Sequence, residues 1–226
     1  MLLYRATAAL GLGLFPLAGL AQAPASPPPP ACYVGAGLYS STFQNLGYHY
    51  GLTIIPVQLT VGYRWRPRWA VQLSAAYSGS SADYDDSGQF LDPATNTPTG
   101  TFSNAGRATD RRLSLALLAR RTLTRQPAHR AQFDAVGGLI YEHLSYHEQG
   151  VYTSTNPAAP AYNPYDYRGR YNGARLGLGP AMRVRVAAPL EATLDFLLTA
   201  PLGSQSGQGI ASATSLGLRY SFGQRP

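Results

Sequence analysis

One short run in this 226-residue chain gathers side chains suited to nucleophilic chemistry: His143, Ser145, His147 and Glu148. Residues two apart on an extended chain share a face, so His143 stands beside Ser145 and could serve as base to its hydroxyl. The same run also fits a polar rim, where a strand gives way to the stretch Glu148 to Arg170, and that reading needs no catalysis. Asp83, Asp85, Asp86 and Asp92 could offer oxygens to a hard divalent cation, but their spacing fixes no coordination geometry and better suits a solvated acidic loop. Tyr152, Tyr162, Tyr165, Tyr167 and Tyr171 fit either a ligand-contacting surface or a pad near lipid head groups. The sequence contains no metal-spaced cysteine set, phosphate loop or dinucleotide fingerprint, so no cofactor and no metal site is expected.

The elements that would carry these residues follow from a period of two. Val57, Leu59, Val61, Tyr63 and Trp65 alternate with Gln58, Thr60, Gly62 and Arg64, and Trp69 to Tyr77 repeats the scheme. Leu113 to Ala119 alternates with a face bearing Arg112 and Arg120, and Leu176 to Val186 with one bearing Arg175, Arg183 and Arg185. Leu190 to Leu198 opposes Glu191 and Asp195, and Leu216 to Phe222 opposes Arg219. Two weaker segments, Cys32 to Phe43 and Ala131 to Tyr146, bring the strands to eight. The links at 66–68, 125–129 and 187–189 are short, whereas those from the first strand to the second, the third to the fourth and the fifth to the sixth are longer, the latter two polar: YDDSGQFLDPATNTPTG and GVYTSTNPAAPAYNPYDYRG. Short turns at one end and long loops at the other predict an all-β, eight-stranded antiparallel up-and-down transmembrane β-barrel. Aromatics toward both rims, Tyr63, Trp65 and Trp69 at one end and Tyr77 and Tyr84 at the other, fit interfacial girdles.

Antiparallel neighbours keep a constant sum of residue numbers, which turns charge pairing into a test of register. A sum of 254 sets Arg120 opposite Asp134 and Arg112 opposite Glu142. Sums of 376 and 410 build a ladder of Arg185, Glu191 and Arg219. Charges paired in this way would fill the narrow bore that eight strands leave, so a plugged lumen is expected rather than an open pore.

The composition, 45% hydrophobic and only 13% charged, with 24 Gly and 16 Tyr, is unusual for a soluble enzyme. Arg5, the apolar run Ala8 to Leu20 and the Ala21-Gln22-Ala23 site read as a signal peptide over residues 1–23, followed by a Pro-rich lead-in over 24–31. The barrel domain then spans 32–222, with a tail at 223–226. A lone Cys32 cannot form an intramolecular disulfide, and Pro29-Pro30-Ala31 lacks the aliphatic residue of a lipidation site. The formal charge of +7 without a dense basic run, behind an export signal, argues against nucleic acid and for anionic lipid head groups.

The export signal, the eight-stranded meander and the closing strand Leu216-Gly217-Leu218-Arg219-Tyr220-Ser221-Phe222 resemble the small bacterial outer-membrane β-barrel superfamily, the porin-like and OmpA-like eight-stranded barrels. The resemblance implies an integral outer-membrane protein that reaches its site through the periplasm, handled by the barrel-insertion machinery. Its partners would be outer-membrane lipids, lipopolysaccharide and an unknown surface ligand at the long loops, and its function structural or surface-interactive. The His143-x-Ser145 pair is similar to that of lipid A deacylases, which would make Ser145 nucleophile, His143 base and Glu148 the orienting acid. A small-solute channel is the third reading.

Overall fold

The computed structural model describes residues 32–44, 47–49, 52–126, 129–158, 161–203 and 209–223. The expected signal peptide and lead-in, and residues 224–226 of the expected tail, lie outside the described residues.

Alternation closes the chain on itself. The described residues form ten strands: β1 (Cys32–Ser41), β2 (Gly47–His49), β3 (Leu52–Ile54), β4 (Val57–Arg66), β5 (Trp69–Leu91), β6 (Pro98–Thr122), β7 (Ala131–Ser154), β8 (Tyr162–Ala187), β9 (Leu190–Pro201) and β10 (Ala211–Phe222). Eight of them form one closed antiparallel barrel in the order β1-β10-β9-β8-β7-β6-β5-β4, while β2 and β3 pair as a separate small hairpin. β1 completes the ring by pairing with both β4 and β10. Ring closure leaves the wall without an open edge strand, the condition for crossing a bilayer with strands.

The outer wall is apolar: Leu59, Leu73, Leu117, Phe133, Leu178, Leu198 and Leu216 are all exposed. Facing inward, Ala76, Leu118, Val136, Ile140, Ala181, Leu197 and Ala213 pack with Tyr39 into one buried cluster. Val136 and Ile140, which blur the period of β7 in the sequence, thus point into the lumen, and Phe133, Leu139 and Tyr141 point out. Near the β4–β5 turn, Trp65 and Trp69 stack at 6.2 Å between ring centroids, with the Arg121 guanidinium 5.5 Å from the Trp69 ring.

The strands differ greatly in length. β1, β4, β9 and β10 have 10–12 residues, close to the 9–11 or so that a bilayer requires. β5 to β8 have 23–26. The two long polar links are therefore mostly strand, and only the tips turn, Asp92–Thr97 and the stretch after Ser154. Asn96 adopts φ 55° at the first tip, a conformation Asn tolerates. Above the membrane both faces of a strand meet water, so the hydrophobic alternation that marks a half-buried strand is missing there. Pairing across β5, β6, β7 and β8 nevertheless continues without a bulge from the barrel wall almost to the tips. From Arg111 to Pro98, roughly 40 Å of β6 rises beyond the apolar band.

Candidate functional site

Strand alternation carries each barrel face upward, the lumen side continuing as one face of the four-stranded outer sheet and the lipid side as the other. Three regions hold polar chemistry: the lumen, the lumen-side face of the outer sheet and its lipid-side face.

Low in the lumen, Arg120 Nη1 donates to Asp134 Oδ2 at 3.0 Å, and Arg120 Nη2 to Asp195 Oδ2 at 2.6 Å and to Gln72 Oε1 at 3.1 Å. Arg183 Nε and Nη2 donate to the two Asp134 oxygens at 2.6 and 2.8 Å, and its Nη1 lies 3.6 Å from Glu191 Oε1. Arg219 Nε donates to Glu191 Oε2 at 2.9 Å, and its guanidinium covers the Tyr33 ring at 4.3 Å. The Tyr33 hydroxyl in turn donates to Gln72. Arg120, Arg183 and Asp134 are each at most 3% exposed. Three guanidiniums and three carboxylates thus form one network, which crosses the lumen from β6 to β9 as well as running between neighbouring strands.

The expected ladder is corrected in two places. The sum of 376 holds for β8 with β9, and 410 for β9 with β10, so Arg185 faces Glu191 in register. Arg185 nevertheless sits exposed at the turn, and Arg183, one inward step deeper, makes the ion pair with Glu191. For β6 with β7 the sum is 256, which sets Arg120 opposite Val136 and Arg112 opposite Leu144. A slip of two keeps both faces correct, and the long Arg120 side chain still reaches Asp134 diagonally. Arg112 and Glu142, by contrast, do not pair. Arg112 Nη2 contacts Asp110 Oδ2 at 2.5 Å and its Nη1 donates to the Phe43 carbonyl at 2.9 Å. Glu142 is buried opposite Ser114, its Oε2 without a hydrogen-bond partner among the described residues.

At the upper end of the lumen, the turn after β1 inserts Gln44, which is 0% exposed. Its Nε2 donates to Ser78 Oγ at 3.0 Å and to the Arg112 carbonyl at 3.2 Å, while its Oε1 accepts from Ser114 Oγ at 2.9 Å. Arg175 Nη2 donates to the Gly209 carbonyl at 2.9 Å beside it. Between this layer and the charged floor lie the apolar cluster and two voids of about 20 Å³ each, room for roughly one water apiece. Pairing arithmetic sets Asp195 opposite Ser215, as the structure has it, but does not single out Gln44, Gln72, Tyr33 or Arg183. Gln44 lies in a turn with no periodicity, and the contact between Arg120 and Asp195 joins strands that are not neighbours.

On the lumen-side face of the outer sheet, Tyr84 of β5 and Tyr165 of β8 lean over Gly106 and Gly150, which pair with each other on the two strands between. A methyl at Gly106 would come within 2.7 Å of the Tyr84 hydroxyl, and one at Gly150 within 2.5 Å of the Tyr165 hydroxyl. The two hydroxyls meet, Tyr84 also donates to Glu148 Oε1 at 2.7 Å, and Tyr165 to Asn104 Oδ1 at 2.7 Å. Phe90, Phe102 and Tyr152 continue the aromatic layer at 5.5 and 6.2 Å, and Tyr171 contacts Phe43 at 5.6 Å. Tyr84 therefore belongs to this platform and not to a membrane girdle, whereas Tyr162 pairs with Thr153 on the opposite face.

The lipid-side face carries His143 and Ser145. His143 Nδ1 lies 2.7 Å from Asn172 Oδ1, and Ser145 sits between Arg111 and Arg170 in the cross-strand row. Glu148 is on the other face, engaged by Tyr84 and Tyr146, and cannot orient His143. A separation of five residues along one strand puts the two side chains on opposite sides of the sheet. The acidic residues likewise diverge: Asp83 and Asp85 face the lipid side, Asp86 the lumen side, and Asp92 organises the tip turn by accepting from the Ala94 amide. Asp83 is held by Arg107 Nε at 2.7 Å, and Asp166 by Arg168 Nη2 and His147 Nε2, each at 2.9 Å. The guanidiniums of Arg107 and Arg168 keep these two exterior carboxyls below the usual carboxylate range.

A closed eight-stranded wall, greasy outside and polar-networked inside, with a tall sheet on one rim, defines a membrane-spanning β-barrel protein. The chain belongs to the family described as outer membrane protein beta-barrel domain, which it matches over residues 7–222. It is similar to Ail, the attachment invasion locus protein of Yersinia pestis, at 9% identity over 87% of this chain and 100% of that one, with a TM-score of 0.44. The N-terminal barrel of Pseudomonas aeruginosa OprF gives 11%, 86%, 99% and 0.44 for the same quantities. A major outer membrane protein from Thermus thermophilus gives 16%, 84%, 98% and 0.46. No curated protein matches the sequence.

Proposed function

We propose that this outer-membrane barrel is a surface-interaction protein with a plugged lumen, exported by a signal peptide cleaved after Ala23. The observation that carries the reading is the height of β5 to β8, which holds a paired sheet far above the apolar band with a tyrosine-rich face and a charged face. Tyrosine supplies broad amphipathic contact area at low entropic cost, which suits a surface meant to touch another molecule. The plug rests on Gln44 above, the apolar cluster in the middle and the Arg120–Asp134–Arg183 network below.

The test is protease treatment of intact cells, with outer-membrane fractionation and intact-mass analysis of the mature chain. Cleavage confined to the outer halves of β5 to β8 and a mass beginning at residue 24 are expected, and a protected sheet would overturn the surface reading. In planar bilayers no reproducible conductance steps are expected, and regular steps would favour the channel. Incubated with lipopolysaccharide, the barrel is expected to release no fatty acid that depends on Ser145, with Ser145→Ala as the comparison.

A further inference from the structure

On the lipid-side face, the register orders the rows that pass from the apolar band to the outer sheet. Ala75, Leu115, Tyr141 and Ala174 form one row, and Tyr77, Leu113, His143 and Asn172 the next. Directly above stand Gly79, Arg111, Ser145 and Arg170, then Ser81, Thr109, His147 and Arg168, then Asp83, Arg107, Gln149 and Asp166. Rows are about 7 Å apart, and the change from apolar to basic passes through the mixed row that holds His143 and Asn172. Arg107 and Arg168 are neutralised by Asp83 and Asp166. Arg111 and Arg170 are exposed, and neither meets a carboxylate within 4 Å among the described residues. They flank Ser145 from the two neighbouring strands, roughly 10 Å apart at the backbone, a gap that two guanidiniums can close around one tetrahedral anion. Just below, His143 is held by Asn172 at 2.7 Å.

We infer that Arg111, Ser145 and Arg170 form a binding site for a phosphate of the outer-leaflet glycolipid, with the lipid's chains lying on the apolar rows beneath. The inference rests on the reading of the chain as an outer-membrane barrel and adds a site to it. Guanidiniums match phosphate oxygens in bidentate fashion, Ser145 adds a hydroxyl donor at the centre, and His143 borders the site from the lipid side. Charge complementarity selects the occupant: two cations without a carboxylate, placed where a phosphorylated head group begins, on a chain of net charge +7. The same geometry gives His143 and Ser145 a task without catalysis.

The full mature chain, refolded in neutral detergent, would be titrated with bisphosphorylated lipid A, its dephosphorylated form, and inorganic phosphate, while the thermal unfolding midpoint is followed. At a hundredfold excess over the dissociation constant, bisphosphorylated lipid A is expected to raise the midpoint by about 5–10 °C. The other two additives are expected to leave it near its starting value, and Arg111→Gln/Arg170→Gln is expected to abolish the rise. Arg107→Gln, whose charge is already engaged, should retain it. Equal shifts with and without lipid phosphates, a shift reproduced by inorganic phosphate, or a shift that survives the double substitution would each overturn the site. The heat-dependent gel shift of the untreated chain reports barrel closure separately, so failure of the site and failure of the barrel reading are distinguishable.

Discussion

At the residue scale, burial decides which charges matter. Asp134 accepts from both Arg120 and Arg183 in a site closed to water, so removing its charge would leave two guanidiniums short of their shared carboxylate. Truncating one partner of a buried pair commonly costs about 3–5 kcal/mol, and Asp134→Asn is expected to lower the denaturant midpoint in detergent accordingly. Arg185→Gln should change stability by less than about 1 kcal/mol, because its side chain is exposed. Its backbone N–H and carbonyl keep their bonds to Arg130 whatever the side chain. A large loss for Arg185→Gln would restore the ladder that charge pairing alone predicts. Pairing arithmetic identifies Arg120, Asp134, Glu191 and Arg219 as inward partners, since parity fixes the face. It cannot choose between Arg183 and Arg185, which share parity and differ only in depth.

At the element scale, the outer sheet is held by contacts that span it. Tyr84 and Tyr165 meet over Gly106 and Gly150, tying the first of the four strands to the last. Gly106→Val or Gly150→Val would crowd both a tyrosine ring and a facing backbone carbonyl, Gln149 O at 2.5 Å from the first position and Ala105 O at 2.7 Å from the second, and so loosen the sheet. Limited proteolysis is expected to cut β5 or β8 faster in these variants, at segments above the membrane, with the heat-dependent gel shift of the barrel unchanged. Loss of the gel shift would mean that the outer sheet is part of the barrel's own stability. The strands of this sheet are illegible in the sequence beyond about Tyr77 and Tyr146. Period-two hydrophobicity reports a contrast between lipid and lumen, and above the bilayer that contrast vanishes while the hydrogen-bond ladder persists.

At the scale of the whole molecule, the barrel and the outer sheet use different forces. Apolar contact with lipid and the inward ion-pair network support the wall, whereas backbone pairing and aromatic contacts support the sheet. A chain in which residues 82–108 and 148–167 are each replaced by a two-residue Asn-Gly turn should therefore still fold and show the gel shift. Such turns join Ser81 to Thr109 and His147 to Arg168, pairs already adjacent in register. Failure of this shortened chain to become heat-modifiable would show that the tall strands are needed to close the ring.

The sequence by itself determined the eight-strand meander, the facing of the residues in the six clearly alternating strands, the short-turn end and two of the three tested registers. All of these follow from alternation and from charge pairing between neighbouring strands, which are local properties. Tertiary structure alone decided that Arg120 reaches Asp195 across the lumen, that Gln44 enters it, that Glu148 and Ser145 stand on opposite faces, and that the long polar links are strand. Those outcomes depend on ring closure, on depth along a strand and on partners remote in the chain, and no period of two encodes them.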